Sequence, residues 1–132
     1  MTSFILNIDV PSIQAAEQFY TAAFGLTVGR RFAADFVELS GWPVPLYLLQ
    51  KKAGTIGAGQ NARDYNRHWT PVHADVIVDD LDAALARATA AGAIVERPAV
   101  DVPYGRIAMV ADPFGHGFCL IEFNSRGYDA LL

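Results

Sequence analysis

Residues 4 to 10 alternate. Phe4, Leu6, Ile8 and Val10 fall on one face and Ile5, Asn7 and Asp9 on the other, the two-residue period of a half-buried strand. Pro11-Ser12 interrupts that pattern and opens a helix, with Ser12 placed to cap it. Ile13, Ala16, Phe19, Tyr20 and Ala23 then make an apolar stripe of helical period that stops at Gly25. Short strand-like runs follow at roughly Gly29–Ala33, Phe36–Leu39 and Leu46–Gln50, separated by turn residues that include Ser40-Gly41 and Pro43.

The same plan recurs about 68 positions later. Val72 to Val78 alternates, with His73, Asp75 and Ile77 opposite Ala74, Val76 and Val78. Asp79-Asp80 caps a helix whose Leu81, Ala84, Leu85 and Ala88 face inward, and Gly92 ends it. Strands are predicted near Ile94–Arg97, Arg106–Ala111 and Phe118–Phe123, the last two joined by the turn Asp112-Pro113-Phe114-Gly115. Each half therefore reads βαβββ. One such unit cannot bury both faces of its sheet, so the expectation is an α+β protein in which two βαβββ repeats form a concave mixed sheet with a central cleft. The predicted arrangement is a single domain over residues 1–132: repeat one at about 3–51, an irregular connector at about 52–71, and repeat two at about 72–124. A cleft of that kind is a place for a small molecule.

Composition narrows the partners. A chain of 132 residues that is 52% hydrophobic can bury one sizeable core. Ten Lys and Arg against fourteen Asp and Glu give a net charge of −4, and the basic residues come in small groups too sparse to track a phosphate backbone. Nucleic acid is not an expected partner. The single cysteine, Cys119, excludes an intramolecular disulfide framework and a Cys-based zinc site, and fits a reducing compartment. The first residues lack the pattern of a signal peptide, and no run approaches the apolar length of a membrane span. The expected location is the cytoplasm.

Alternation also selects the polar residues that face the cleft. If the smoother apolar faces pack on the helices, the opposite faces carry Asn7 and Asp9 on the first strand, Tyr47 on the strand closing the first half, His73 and Asp75 on the strand opening the second, and Cys119 with Ile121 on the last. Polar side chains repeated on one concave face cost desolvation unless they meet ligand, water or one another. The set therefore reads either as a ligand pocket or as a hydrogen-bonded structural network. Asp75, two residues beyond His73 on the same face, is placed to pair with it. Cys119 reads as a small core residue, His116 as exposed beyond its turn, and His68 and Trp69 as part of a surface loop. No Gly-rich phosphate loop, Gly-x-Ser-x-Gly elbow or His-Glu-x-x-His occurs.

The pattern resembles the vicinal oxygen chelate superfamily, the glyoxalase/bleomycin resistance/dioxygenase family. The resemblance rests on Ile8-Asp9-Val10 leading to Glu17-Gln18-Phe19-Tyr20 and Phe24-Gly25-Leu26. It continues in His73 to Val78 leading to Asp80-Leu81, in Arg106 to Gly115, and in the closing Leu120-Ile121-Glu122-Phe123. The metal enzymes of that family place ligands on four strands, and the resemblance puts Ile5, Tyr47, His73 and Cys119 at those positions. Only His73 is a usual ligand there, and one imidazole does not hold a catalytic metal. The resemblance thus implies the family fold without its metal centre and without a cofactor, in a homodimer that binds a small molecule as bleomycin-resistance proteins do.

The expected ligand pocket is Asn7, Asp9, Trp42, Tyr47, His73, Asp75, Tyr104, Arg106, Cys119 and Ile121, with Trp69 and Phe118 or Phe123 as further aromatic walls. Asp9 and Asp75 favour a neutral or cationic ligand over a carboxylate. In glyoxalase I the position matching Asp9 carries a cation that helps hold glutathione, so glutathione thioesters are disfavoured. The alternative is a metal-dependent lyase, isomerase or dioxygenase using His73 and nearby carboxylates, with Asp9, His73 and Asp75 as an offset metal site.

Overall fold

A computed structural model describes residues 1–132. The chain forms two compact units, Met1–Asn66 and Arg67–Leu132. The first contains β1 (Leu6–Val10), α1 (Ile13–Phe24), β2 (Thr27–Ala33), β3 (Phe36–Ser40), β4 (Leu46–Gln50) and the short β5 (Ile56–Ala58) and β6 (Asn61–Ala62). The second contains β7 (Ala74–Ile77), α2 (Leu81–Ala91), β8 (Ile94–Val102), β9 (Gly105–Ala111), β10 (Gly117–Phe123) and a 3-10 turn over Gly127–Leu131.

The two units share one topology. The first sheet has the order β1-β4-β3-β2 and the second β7-β10-β9-β8. In each, the opening strand lies parallel to the closing strand, and the remaining pairs are antiparallel. Asn7 stands beside Tyr47 in the first unit as Asp75 stands beside Cys119 in the second. The predicted βαβββ repeat is therefore present in both halves, as two four-stranded mixed sheets with one helix each.

Helix starts are built the same way twice. Ser12 Oγ accepts the Ala15 N–H at 3.2 Å, and Asp80 Oδ1 accepts the Ala83 N–H at 2.9 Å. The first helical N–H of each is taken by a side chain from the closing strand of the same unit. Gln50 Oε1 accepts from Ile13 at 2.8 Å, and Glu122 Oε2 accepts from Leu81 at 2.7 Å. Each bond satisfies a donor that the helix itself leaves unpaired and fixes the helix on one face of its sheet. Both helices stop at a glycine in the left-handed region, Gly25 (φ 67°) and Gly92 (φ 114°).

The bond from Gln50 also identifies the helix side of β4, where Leu46 and Leu48 are fully buried. That from Glu122 does the same for β10, where Phe118 and Leu120 are buried. The core of α1 is Ile13, Ala16, Phe19, Tyr20 and Ala23, and that of α2 is Leu81, Ala84 and Ala88. Leu85, expected inward with them, is only half-buried.

Two segments depart from expectation. The connector is not irregular throughout: β5 and β6 pair as a small hairpin turning at Gly59 (φ 59°). Its base is closed by Gly54 N–H to the Arg63 carbonyl at 2.8 Å and Arg63 N–H to the Thr55 carbonyl at 2.7 Å. The second strand of the second half, β8, runs on through Val102, past Pro98, with shifts of register against β9. A proline is tolerated there because β8 is an edge strand. The β8–β9 turn needs Gly105 (φ 143°), since a side chain there would collide with the Glu122 carbonyl oxygen. No helix is long and apolar enough to cross a membrane.

Candidate functional site

With the helices assigned to one face of each sheet, the opposite face can be read strand by strand. In the second unit it carries His73, Asp75, Cys119 and Ile121 together. Asp75 is the register partner of Cys119, which pairs in turn with Met109 of β9. His73 Nε2 lies 3.2 Å from Asp75 Oδ1, both side chains partly exposed. The Trp69 ring sits 5.0 Å from the His73 imidazole, so the end of the connector contributes to this face. Arg67 anchors that stretch through a two-pronged contact with Glu96 of β8, both bonds 2.8 Å.

Cys119 and Ile121 are buried. Burial, followed by the charge of Asp75 and a hydrogen bond to it, pushes the Cys119 thiol up to about 11, partly opposed by the positive charge of Arg97. At neutral pH this is a protonated, unreactive thiol. Three rings complete the face. Phe123 packs against Tyr128 at 4.9 Å and Tyr104 at 6.2 Å, and Tyr104 lies 5.0 Å from Tyr128. Burial and the nearby Asp75 charge raise the Tyr128 phenol above its usual range.

The first unit carries a different surface. Asn7, Tyr47 and Glu38 stand side by side across β1, β4 and β3. Arg30 grips Glu38 with bonds of 2.6 and 3.1 Å and reaches the Tyr47 hydroxyl at 3.5 Å. Those hydrogen bonds hold the Glu38 carboxyl down at about 2, against desolvation pulling the other way. Phe32 and Phe36 meet the Tyr47 ring edge-on at 5.8 and 5.6 Å.

Four sequence expectations need correction. Asp9 accepts a 2.8 Å bond from Arg63, which also donates to the Ile56 carbonyl at 2.7 Å. The carboxylate ties down the connector hairpin and is not a free pocket acid. Trp42 packs on Phe24 of α1, ring centres 5.4 Å apart, so it belongs with the helix. Arg106 is the register partner of Glu122 and turns to the helix side, where it binds Asp82 of α2 with two 3.1 Å bonds. His116 is half-buried, with Nδ1 2.8 Å from Asp112 Oδ2. Buried Asp112 also accepts the Phe114 and His116 N–H groups at 2.9 and 2.8 Å, so this pair builds the β9–β10 turn.

The sequence pattern of the glyoxalase-like domain family matches residues 5–121. The chain belongs to this family, the glyoxalase/bleomycin resistance/dioxygenase or vicinal oxygen chelate family. Among relatives of this vicinal oxygen chelate chain is the anthracycline biosynthesis protein DnrV of Streptomyces peucetius, 36% identical over 120 residues. The anthracycline biosynthesis protein DauV of Streptomyces sp. (strain C5) is 35% identical over 116 residues. Those matches cover 89% and 85% of this chain but only 40% and 38% of the relatives, so the chain spans about two fifths of their length. In three dimensions it is similar to the fosfomycin resistance protein FosX from Listeria monocytogenes. The TM-score is 0.74 at 13% identity, covering 100% of this chain and 98% of that one. That likeness speaks for the fold alone.

Metal enzymes of the family suggest a test of the corresponding positions here. Ile5 has no donor atom, and Tyr47 is a phenol engaged by Arg30 and flanked by two phenylalanines. His73 and Cys119 remain, and two donors fall short of the three that a catalytic divalent ion generally takes. The four-position set does not fit the family's metal centre.

Two contributors to the second unit's face, Arg97 and Tyr128, were not among the expected pocket residues, whereas Trp69 was expected as an aromatic wall. Arg97 acts on Cys119 from β8, and Tyr128 and the Trp69–His73 contact come from segments outside the strands. The aromatic at position 128, just beyond the polar run Asn124-Ser125-Arg126, was the one visible signal.

Proposed function

We propose that this chain binds a flat, largely aromatic small molecule on the helix-free face of the second sheet, without the family's four-position metal centre. The observation that carries this reading is the grouping of Tyr104, Phe123 and Tyr128 on the unit whose paired β7 and β10 bring His73, Asp75 and Cys119 together. Rings offer area at little conformational cost, and a few convergent polar groups orient what lies on them. Asp75 favours a neutral or cationic ligand over a carboxylate. The identity shared with DnrV and DauV, both named for anthracycline biosynthesis, supports a planar polycyclic ligand.

The test is a fluorescence titration with an anthracycline. Saturable quenching at one ligand per chain is expected. Tyr104→Ala and Tyr128→Ala each weaken binding about tenfold, the worth of one aromatic contact at roughly 1.4 kcal/mol. An unsaturable signal from folded wild-type protein sinks the proposal.

A second reading, a metal-dependent lyase, isomerase or dioxygenase, draws on one observation: donor atoms of His73, Asp75 and Cys119 lie within 4.8 Å of one another. Turnover restored to metal-stripped protein by Ni²⁺, Zn²⁺, Mn²⁺ or Fe²⁺, and lost in His73→Ala, would place that reading first.

A further inference from the structure

We propose that Arg67 is a positioning residue for the ligand face of the second sheet. Seated on Gly117 and gripped by Glu96, it holds Trp69 against His73 as an end wall that limits the length of what binds. This role rests on the binding of an aromatic ligand at that face, proposed above.

Gly117 opens β10, and its φ lies outside the left-handed region, so backbone freedom does not call for glycine there. Space does. A Cβ at this position would collide with three guanidinium atoms of Arg67, Nη2, Cζ and Nη1. β7 and β10 run parallel with Asp75 beside Cys119, so His73 and Gly117, each two residues earlier, share that face. The Arg67 guanidinium therefore lies on the helix-free side, at the His73 end of the sheet.

Its other contacts fix its orientation. Nε and Nη2 donate to the two Glu96 oxygens, both at 2.8 Å, and Nη1 donates to the His68 carbonyl. The hydrogen bonds to Glu96, with the charges of Glu96 and buried Asp112, raise the Arg67 pKa against desolvation. A planar fork held along both edges has little freedom to turn. The Nη1 bond also fixes the peptide that joins His68 to Trp69, and with it the start of the Trp69 side chain. The indole then meets the imidazole at 5.0 Å, the two planes tilted by 48°. Trp69 is 54% exposed, so the core does little to hold it there.

Trp69 stands at the opposite end of β10 from the Tyr104, Phe123 and Tyr128 rings. Gly117 and Phe123 are the first and last residues of that strand, about 20 Å apart at roughly 3.3 Å per residue. A ligand that touches both aromatic ends must be elongated, and a displaced Trp69 leaves one end open.

The first test needs no ligand. In two-dimensional NMR of the full chain, a cross-peak between the Trp69 indole and His73 ring protons is expected in wild type. Gly117→Ala and Glu96→Ala should each lose it, with the Leu120 and Val110 amides unmoved. The added methyl of Gly117→Ala meets the far end of a flexible side chain, so the strand itself is spared. Glu96, partly exposed, removes the grip from another direction if that variant fails to fold. A cross-peak of wild-type intensity in both variants overturns the positioning role. Anthracycline affinity should fall about tenfold in Trp69→Ala and by a similar factor in Gly117→Ala, the worth of one aromatic contact. Wild-type affinity in Trp69→Ala overturns the end wall. Wild-type protein that binds no anthracycline sinks the binding reading, whereas the ligand-free cross-peak still decides the role of Arg67.

Discussion

The repeated helix start offers a controlled comparison between a charged and a neutral acceptor performing the same task. Glu122→Ala removes a carboxylate oxygen 2.7 Å from the Leu81 N–H, and Gln50→Ala removes an amide oxygen 2.8 Å from the Ile13 N–H. Both acceptors sit at the positive end of a helix, and both helices keep their cap bonds from Asp80 and Ser12. A net hydrogen bond to a charged group contributes about 1.5 to 3 kcal/mol, and a neutral one about 1 kcal/mol. The carboxylate also interacts with the helix dipole, a contribution already contained in the larger figure. Glu122→Ala should therefore cost about 2 kcal/mol and Gln50→Ala about 1 kcal/mol. At about 4 °C per kcal/mol for a chain of this size, the melting temperature should fall by about 8 °C and about 4 °C. Glu122→Gln keeps an acceptor without the charge and should fall between wild type and Glu122→Ala. Differential scanning calorimetry on the four proteins measures this directly. The reasoning fails if Gln50→Ala costs as much as Glu122→Ala, or if Glu122→Gln is as damaging as the alanine.

Three further outcomes are expected. The Glu38 carboxyl is held at about 2, below its ordinary 4.5, so its contribution is present above pH 4.5 and is lost as pH falls toward 2. Thermal melts over that range should show a steeper acid loss for wild type than for Glu38→Gln, and superimposable curves would contradict the Arg30 pairing. Cys119, pushed up to about 11, should resist iodoacetamide at about pH 8 in the folded chain and react once urea unfolds it. Native labelling at the rate of a free cysteine would refute its burial. Phe4, Ile5, Val72, Ile77 and Ile94 are exposed apolar side chains that a second copy would cover. Sedimentation at micromolar concentration should give twice the 14.3 kDa chain mass, and a monomer would count against a homodimer.

Much of the fold was legible because two periodicities and their stop signals agree. The alternation at Phe4–Val10, the stripe from Ile13 to Ala23, and Gly25 and Gly92 at the helix ends each point to the element found. The β5–β6 hairpin was not legible: strands of three and two residues carry no period, and the bond that ties Arg63 at its base to Asp9 spans 54 positions. Arg106 was misplaced for an avoidable reason. Ala108 and Val110, two and four residues on, are small or branched apolar residues on the helix side, and strand alternation places Arg106 with them. Trp42 follows the Ser40-Gly41 turn, where no period reaches, so only packing could reveal its contact with Phe24. The grouping of His73, Asp75 and Cys119 followed from alternation, whereas Tyr128 arrives from a tail whose 3-10 turn has no sequence period to read.

The proposed ligand, a flat aromatic molecule, would lie on the helix-free face of the second sheet. Backbone amide chemical-shift mapping with an anthracycline tests it most directly. Saturable shifts are expected at Asp75, Cys119, Tyr104, Phe123 and Tyr128, with the α2 amides from Ala83 to Ala91 unmoved. Shifts confined to the helix side of that sheet, or none at saturating ligand, would contradict it.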